Sequence, residues 1–263
     1  MEIRPEKLMY PYVTLSDLHN NVVLDHIYHN FNDRYYITDD LSPEMYDALA
    51  YNGFISVSVK DFFNNEFLLP EMQASYAVLH WENLHVSKRL KQFIKKKILP
   101  DNEFFISINY DINGVIDGIK RYHQEKNWMN NSYIKIIKTM HQQTHFKQTI
   151  ISVEMWDNQY LIGGEIGYLT GSIYTSLTGF FDRENYSNFG KIQLIGLASL
   201  LKNAGVEFWN MGHPYMNYKF DIGAREYDRL DFLELWLKYR NIKVNSMSGQ
   251  KRIKLLQSDL TSI

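Results

Sequence analysis

The residue of this chain whose setting most clearly calls for chemistry is Glu165, an acid inside the apolar stretch LIGGEIGYL. A buried carboxylate without a partner is costly. Opposite the guanidinium or ammonium group of a bound ligand, the carboxylate has a charged hydrogen-bond partner, and the site then selects ligands with such a side chain. Two alternatives remain open at this point. Glu165 pairs with a cation of its own chain, or it faces solvent, since period-two alternation does not fix which strand face is inward.

A dense positive cluster is the second feature with chemical meaning, and it lies in HVSKRLKQFIKKKILP, residues 85–100. The apolar residues at helical spacing predict a helix with one buried face. Its cations are Lys88, Arg89, Lys91, Lys95, Lys96 and Lys97. Such a face could hold the phosphates of a nucleic acid, or it could be a solvated surface only. The net charge of the whole chain is -2, so any nucleic-acid contact must be local.

Composition excludes several other chemistries. The chain has no cysteine, which rules out disulfides, thiolate nucleophiles and cysteine-ligated zinc. His141 and His145 are spaced for one helical face, but no acid completes a zinc motif, so no metal site is predicted. The first residues do not read as a signal peptide, and no apolar run approaches the roughly 18 residues of a membrane span. We therefore expect a soluble, cytoplasmic protein without a membrane contact.

The elements that must position these residues can be read along the chain. Ser42 and Pro43 begin a predicted helix that Gly53 ends. The segment 153–183 predicts three antiparallel strands, with turns at Asp157-Asn158 and at Thr170-Gly171. From residue 104 the predicted order is strand, two helices, three antiparallel strands, helix, strand and helix. This order resembles the GNAT acyltransferase architecture, in which a mixed sheet splays near its centre to admit an acyl donor.

Several collinear segments resemble one specific family, the bacterial leucyl/phenylalanyl-tRNA–protein transferases. TDDLSPEMYDALAYNGFI is similar to the family's G-D-L-S-P…A-Y-x-x-G-I-F, and LHVSKRLKQF to its L-H-I-S-R-S-L. NWMNNSYIKII is similar to T-W-I-x-x-x-M-x-x-A-Y, and SVEMWDNQYLIGGEIG to S-V-E-V-W-x-x-x-x-L-V-G-G-L-Y-G. GAREYDRLDFLELW is similar to L-G-A-x-x-I-P-R-x-x-F-L. The likeness covers roughly residues 35 to 236 in order.

The resemblance implies an α+β protein with two domains. A small N-terminal domain would span residues 1–82, and a GNAT-like domain with a splayed mixed sheet would span residues 83–263. It implies transfer of an amino acid from aminoacyl-tRNA to the N-terminal amine of a protein, which marks N-termini for turnover. The position of the basic cluster agrees with the family's basic surface, which makes it the expected tRNA-binding surface. We also expect a monomer. No cofactor is expected. In RENYSNFGK, where coenzyme A enzymes carry a glycine-rich loop, Gly190 is the only glycine and a poor cradle for a pyrophosphate.

The match breaks at the motifs that carry the family's active-site network. SLTGFFDR replaces G-E-S-M-F-S-R and puts Thr178 at the position of the glutamate. NMGHP replaces the D-C-Q strand end, so Asn210 lies near the acid position and either Gly212 or His213 near the amide. Either the ancestral chemistry is lost or altered, or the site is rebuilt on Thr178, Asn210 and His213. In the second case His213 accepts the proton of the attacking amine.

The resemblance also predicts the substrate-binding residues, which are Trp128, Glu165, Phe181, Tyr110 and Asn217. Trp128 matches the family's second platform tryptophan, whereas the W-W-S-P-D-P-R segment has become LLPEMQASY. The family has Leu or Met where Glu165 stands, in the pocket for the donor side chain. A carboxylate there predicts a cationic donor, Arg or Lys. Glu154 also matches the family and is interpreted as a structural strand residue.

Three functional hypotheses follow from these residues. The first is an aminoacyl-tRNA–protein transferase with an altered donor pocket. The second is a GNAT-like acyltransferase that uses another acyl carrier or acts on a small amine. The third is a binding protein that keeps the fold and has lost the catalytic site. Binding of tRNA favours the first hypothesis, binding of coenzyme A the second, and binding of N-terminal peptides without turnover the third.

Overall fold

The predicted start and stop signals act where the sequence places them. A computed structural model describes residues 10–100, 103–245, 247 and 250–254 of the chain. In it the Ser42 hydroxyl accepts a hydrogen bond from the Met45 amide at 3.1 Å and begins the helix Pro43–Tyr51. Gly53 follows with a φ of 86°, a left-handed conformation that glycine adopts without strain. Asn158 and Gly171 likewise adopt positive φ at the two turns of the strand meander.

Helices and strands alternate along the described part of the chain. The helices are α1 Leu15–Leu18, α2 Asn21–His29, α3 Pro43–Tyr51, α4 Lys88–Phe93, α5 Ile112–His123, α6 Asn131–Gln142, α7 Phe189–Asn203, α8 Asn217–Asp221 and α9 Arg229–Tyr239. The strands are β1 Ile55–Lys60, β2 Glu66–Glu71, β3 Ser75–His80, β4 Phe104–Ile108, β5 Gln148–Asp157, β6 Tyr160–Thr170, β7 Ile173–Phe181, β8 Phe208–Asn210, β9 Arg225–Asp228 and β10 Gln250–Lys254. None of these helices is long and apolar enough to cross a membrane.

An eight-stranded mixed sheet organises the protein, with the strand order β10-β4-β5-β6-β7-β8-β3-β9. The β7–β8 pair is parallel, whereas the other pairs are antiparallel. Only Ile173–Thr175 of β7 pairs with β8, and β7 continues to Phe181 alongside β6 alone. The two strands therefore separate after Thr175 and leave a gap in the sheet. The predicted α+β class and the predicted splay of the mixed sheet are confirmed.

The sheet is covered on both faces, which explains why its central strands are apolar at successive positions. On one face, Tyr76, Ile150 and Ile166 pack in a core with α2, α3, α5, α6 and α9. On the other, Ala77, Ile151 and Leu169 pack with α4 and α7. Burial on both faces also removes the polar–apolar alternation that would have told which way Glu165 points.

The N-terminal segment contributes directly to the large sheet. The β1–β2 hairpin forms a separate two-stranded sheet, but β3 lies between β8 and β9 in the eight-stranded one. Strand β3 precedes the expected domain boundary after residue 82. The division into domains 1–82 and 83–263 stays a prediction, and the pairing of β3 shows that the two parts share a sheet.

The basic segment differs from the single helix that its sequence predicts. Helix α4 ends at Phe93 and continues as one wide π turn, Ile94–Ile98. Leu90, Ile94 and Ile98 are buried against the sheet, whereas the lysines and the arginine of the segment are exposed. The apolar face is thus confirmed, and the wider turn keeps Ile98 in the core.

Candidate active site

A cavity of about 650 Å³ lies in the gap between β7 and β8. Its walls come from the end of α5, from β6 and β7, from the first turns of α7, and from α8 and the segment before it. Trp128, Phe180, Phe181, Leu177 and Met216 make it largely apolar. Glu165, Thr178, His123, Lys219 and Gln193 are polar residues that also line it. A mostly apolar cavity with a few convergent polar groups is the usual form of a substrate site.

Glu165 faces this cavity from β6, so the solvent-facing alternative is wrong. Only 7% of the residue is exposed. One carboxylate oxygen, Oε1, accepts hydrogen bonds from the Tyr174 hydroxyl at 2.8 Å and the Ser176 hydroxyl at 2.6 Å. A Cβ at Gly167 would lie 2.4 Å from the Tyr174 hydroxyl oxygen, so glycine there leaves room for this bond. Within the described residues, no hydrogen bond reaches the second oxygen, Oε2.

Lys219 of α8 is a buried cation in the same cavity, and the sequence reasoning missed it. It is 5% exposed, and its Nζ donates to the Met211 carbonyl at 2.5 Å and to the His213 carbonyl at 2.7 Å. In the described part of the chain no nitrogen–oxygen distance of 4.0 Å or less joins Lys219 to Glu165. A lysine between two aromatic residues, in NYKFDIG, was the available signal.

The two buried groups perturb each other. Burial raises the pKa of the Glu165 carboxyl, and the hydrogen bonds from Ser176 and Tyr174 and the charge of Lys219 oppose this rise. Burial lowers the pKa of Lys219 to about 8, while attraction to Glu165 acts in the other direction. Desolvation thus moves both groups towards their neutral forms. Perturbed titratable groups in a cleft are typical of a functional site.

Thr178 lies on the cavity wall beside a histidine that the sequence reasoning also missed. The His123 Nε2 is 3.1 Å from the Gly179 carbonyl and 3.3 Å from the Thr178 hydroxyl oxygen. Since a carbonyl only accepts, Nε2 carries the proton in this arrangement and can share it with Thr178. His123 is the last residue of α5, and α5 comes close to β7 because Gly118 leaves space for the Phe180 ring.

Aromatic side chains and one arginine form another part of the cavity wall. Trp128 lines the cavity with its ring edge-to-face against Tyr133, at a centroid distance of 4.9 Å. The Arg183 guanidinium lies 5.2 Å from the ring centre of Phe181 and 5.0 Å from that of Tyr122. Arginine and aromatic side chains in one place suit the phosphates and bases of a single-stranded RNA end.

Asn210 and His213 lie beside the cavity and not on its walls. Asn210 is 1% exposed, accepts a hydrogen bond from the Gly212 amide at 3.0 Å, and donates to Thr175 across the β7–β8 pair. The His213 Nε2 is 2.8 Å from Glu71, and its ring stacks on Tyr215. Both side chains are therefore engaged by the fold in this structure, and their predicted catalytic roles stay predictions.

Tyr110 and Asn217 also lie outside the cavity wall, and their predicted roles in substrate binding stay predictions. Tyr110 follows β4 and is absent from the cavity wall, and the Arg252 guanidinium lies 5.0 Å from its ring centre. Asn217 is exposed at the start of α8, next to the cavity residues Tyr218 and Lys219. The cavity thus brings together Trp128, Glu165, Thr178 and Phe181 of the predicted site.

The predicted tRNA-binding residues lie on an exposed surface, and their role in binding stays a prediction. Lys88, Arg89, Lys91, Lys95, Lys96 and Lys97 are exposed, and within the described residues none has an ion pair within 4.0 Å. Phe93, at the end of α4, contacts Phe189 edge-to-face at 6.1 Å. Phe189 begins α7, whose first turns line the cavity, so the buried side of the basic segment packs against a helix of the cavity wall.

A mixed sheet that splits at its parallel pair, with titratable side chains in the split, defines an α+β acyltransferase-like enzyme. The family model described as leucyl/phenylalanyl-tRNA protein transferase matches residues 78–236. The chain belongs to this family, as its motifs predict, and it is an aminoacyltransferase.

Individual relatives agree with the family match. The leucyl/phenylalanyl-tRNA–protein transferase of Shewanella piezotolerans is 29% identical over 214 residues, which are 78% of this chain and 81% of the relative. The enzyme of the same name from Flavobacterium johnsoniae is 29% identical over 203 residues, 76% of this chain and 87% of the relative. The solved structure of L-PGS from Bacillus licheniformis aligns with 80% of this chain and 73% of its own, at 8% identity and a TM-score of 0.41. That similarity is too weak to carry a conclusion about function.

Proposed function

We propose that this protein moves an amino acid with a cationic side chain, Arg or Lys, from aminoacyl-tRNA to the N-terminal amine of a protein. The observation that carries the donor choice is Glu165, a carboxylate on the wall of an apolar cavity with one oxygen left unbonded by the described residues. A donor guanidinium or ammonium group at Oε2 would give that oxygen the charged partner that the fold does not supply.

The apolar walls suit the rest of such a donor. The methylene stem of Arg or Lys can lie against Trp128 and Phe181 while its charged end reaches Glu165. Lys219 does not saturate the carboxylate, because the two groups are more than 4.0 Å apart. With its pKa near 8, Lys219 can also become neutral beside an incoming cation.

The reaction asks little of the protein beyond positioning. The ester that links an amino acid to a tRNA ribose is already activated, so holding it against a neutral amine supplies much of the rate. Donors near the developing oxyanion supply more. The Thr178 hydroxyl, held beside the proton of His123, supports such a role on the cavity wall. No cofactor is needed for this transfer.

The basic surface supports aminoacyl-tRNA as the donor. We infer that the acceptor stem lies along its six exposed cations while the 3′ end enters the cavity. Lysine and arginine contacts to phosphates give an affinity that falls steeply with salt. We propose further that the protein acts as a monomer in the cytoplasm. Its product would be a protein whose new N-terminal residue marks it for turnover.

A transfer assay with a full set of charged tRNAs and a library of reporter peptides tests the proposal. We expect transfer from Arg-tRNA or Lys-tRNA to exceed that from Leu-tRNA or Phe-tRNA by about tenfold or more, the value of one charge-assisted hydrogen bond. Preference of the wild type for Leu-tRNA would contradict the cationic donor.

Glu165→Leu is the matched variant, because it restores the residue type of the family's apolar pocket. We expect it to lose transfer of Arg and Lys and to gain transfer of Leu or Phe. Binding of coenzyme A at micromolar affinity would instead indicate another acyl carrier. Binding of N-terminal peptides without turnover would indicate an inactive homologue.

A further inference from the structure

The contacts of Lys219 leave one position of its amine unassigned. A lysine ammonium has three N–H groups, and a neutral amine has two N–H groups and a lone pair. Two acceptors, the carbonyl oxygens of Met211 and His213, hold Nζ at 2.5 Å and 2.7 Å. Both bonds persist when the amine loses one proton. Gain or loss of that proton therefore leaves Lys219 anchored in place.

The third position on the Lys219 amine, an N–H group or the lone pair, is open to the cavity. Lys219 lines the cavity wall, and no other hydrogen bond of its Nζ is formed within the described residues. The carboxylate oxygens of Glu165, an acid on the same wall, are more than 4.0 Å from the Lys219 Nζ. A group bound in the cavity can thus reach the lone pair of neutral Lys219 without displacing a contact of the fold.

We propose that Lys219 is the proton acceptor for the attacking amine of the acceptor polypeptide. This inference rests on the proposed function and names a residue for a step that any such transfer requires, since an N-terminal ammonium group must lose a proton before it attacks. The position of Lys219, anchored by two carbonyl groups with its third position open to the cavity, carries the proposal. The lowered pKa of its ammonium group agrees with it.

The step balances as follows in atoms and charge. The acceptor's R–NH₃⁺ gives one proton to the neutral Lys219 Nζ, and the resulting amine attacks the ester carbonyl carbon. The C–N bond forms, the C–O bond to the ribose oxygen breaks, and the second proton of the amine passes to that oxygen. The products are an amide, a ribose hydroxyl and protonated Lys219, which returns its proton to solvent.

Other groups near Lys219 bear on its protonation. Across the cavity, the carboxylate of Glu165 favours the charged lysine, while burial favours the neutral one. The remaining titratable or charged side chains on the cavity wall are Tyr122 and His123 of α5, Arg183 after β7, Lys191 of α7 and Tyr218 of α8. Tyr174, behind the wall, donates to Glu165. A cationic donor bound at Glu165 would offset the carboxylate charge and favour neutral Lys219.

The variant Lys219→Arg tests the proposal, because a guanidinium can donate to both carbonyl groups but does not accept a proton. With an ordinary N-terminal peptide at about pH 7, we expect single-turnover transfer to fall by up to about tenfold, because only about a tenth of the acceptor α-amine is neutral without a proton acceptor. Lys202→Arg, at an exposed position in the last turn of α7, is the matched control and should leave the rate unchanged.

A second nucleophile separates proton transfer from a structural role. The acceptor α-amine titrates at about 7.7–8.0, close to Lys219, so a pH profile with an ordinary peptide mixes the two groups. A peptide with an N-terminal aminooxy group is neutral at this pH and needs no proton acceptor before attack. We expect Lys219→Arg to transfer to this peptide at the wild-type rate.

Two results would overturn the proposal: an ordinary peptide transferred at the wild-type rate by Lys219→Arg, or the same loss with both nucleophiles. Should the variant fail to fold, an NMR titration of ¹⁵N-labelled lysine in the wild type decides instead. A midpoint for Lys219 near 8 agrees with the proposal, and one near the ordinary value of about 10.4 contradicts it. Absence of any transfer from aminoacyl-tRNA by the wild type would mark failure of the proposed function itself.

Discussion

Two buried carboxylates on adjacent strands show how differently one fold can use the same group. Glu154 of β5 pairs with Gly164, and Glu165 of β6 pairs with Val153, so the two acids point to opposite faces of the sheet. Glu154 is fully buried, and each of its oxygens accepts two hydrogen bonds. Glu165 is nearly as buried, yet both of its donors bind the same oxygen.

The difference separates a structural acid from one available to a ligand. The donors to Glu154 are the Ser107 and Ser152 hydroxyls and the amides of Tyr110 and Asp111, at the start of α5. These bonds fasten β4 and the α5 start to β5, as the interpretation of Glu154 as a structural residue requires. At Glu165 the second oxygen keeps its capacity to accept, and it does so on the wall of the cavity. The number of donors that the fold provides distinguishes the two roles better than burial does.

The largest effect we predict is on stability, from Glu154→Gln. Each oxygen of Glu154 accepts one backbone N–H, from Tyr110 or Asp111, so either orientation of a glutamine places its NH₂ against a backbone donor. We expect a loss of about 2–3 kcal/mol in the free energy of unfolding, measured by urea denaturation. Glu234→Gln on the exposed face of α9 should change it by less than about 0.5 kcal/mol. Equal stabilities would show that Glu154 is not the anchor described.

Glu165→Gln, the same substitution on the neighbouring strand, should spare the fold and change the chemistry. The glutamine oxygen can keep the bonds from Tyr174 and Ser176, and its NH₂ then faces the cavity. We expect stability within about 1 kcal/mol of the wild type, because no buried donor loses its partner. Transfer from Arg-tRNA should fall by about 10- to 100-fold, the value of a hydrogen bond to a charged group.

A stability loss as large as that of Glu154→Gln, or unchanged transfer from Arg-tRNA, would end the distinction between the two acids. Transfer from Leu-tRNA by the same variant is the internal control. It should not fall with that from Arg-tRNA, since an apolar donor makes no bond with the carboxylate.

The distinction extends to cations. Arg229 is fully buried, and each of its three side-chain nitrogens donates to a carbonyl group, of Gln73, Asn30 or Met72. Lys95, Lys96 and Lys97 are exposed and, in the described part of the chain, lack an ion pair within 4.0 Å. Changing these three to Glu should weaken tRNA binding about tenfold at moderate salt and reduce the slope of log affinity against log salt by about 2 to 3.

A charge-matched control is available on the same protein. Changing the exposed Lys202, Lys238 and Lys243 to Glu gives an identical change in net charge away from the basic surface. We expect this variant to bind tRNA with nearly wild-type affinity in filter-binding or anisotropy measurements. Equal weakening by both triple variants would indicate a net-charge effect and would remove the basic surface from the proposed function.

Local signals explain what the sequence predicted correctly. Ser42, Pro43 and Gly53 mark α3, and the turns at Asp157-Asn158 and Thr170-Gly171 mark the β5–β6–β7 meander, because these residues fix the backbone where they stand. Glu165 was found because a lone acid is out of place in an apolar strand. Pairing between distant segments leaves no such mark. The insertion of β3 between β8 and β9 could not be predicted, nor could the anchoring of Lys219 by two carbonyl groups.

Glu71 is a third buried carboxylate, and it gives the smallest predicted effect. Burial alone would raise its pKa, but the hydrogen bonds and charges of His213 and Arg34 outweigh burial and lower it. The stability from this group is therefore full above the ordinary pKa and is lost as pH falls through the lowered value. Between about pH 6 and about pH 3 the free energy of unfolding should fall further for the wild type than for Glu71→Gln. We expect the difference between the two falls to be about 1 kcal/mol at most, as for partly exposed ion pairs. Urea denaturation at both pH values measures the difference. A parallel pH dependence of the two proteins would show that the ion pairs of Glu71 with His213 and Arg34 add no stability. Glu71 would then resemble Glu165, whose charge the fold does not need, and not Glu154.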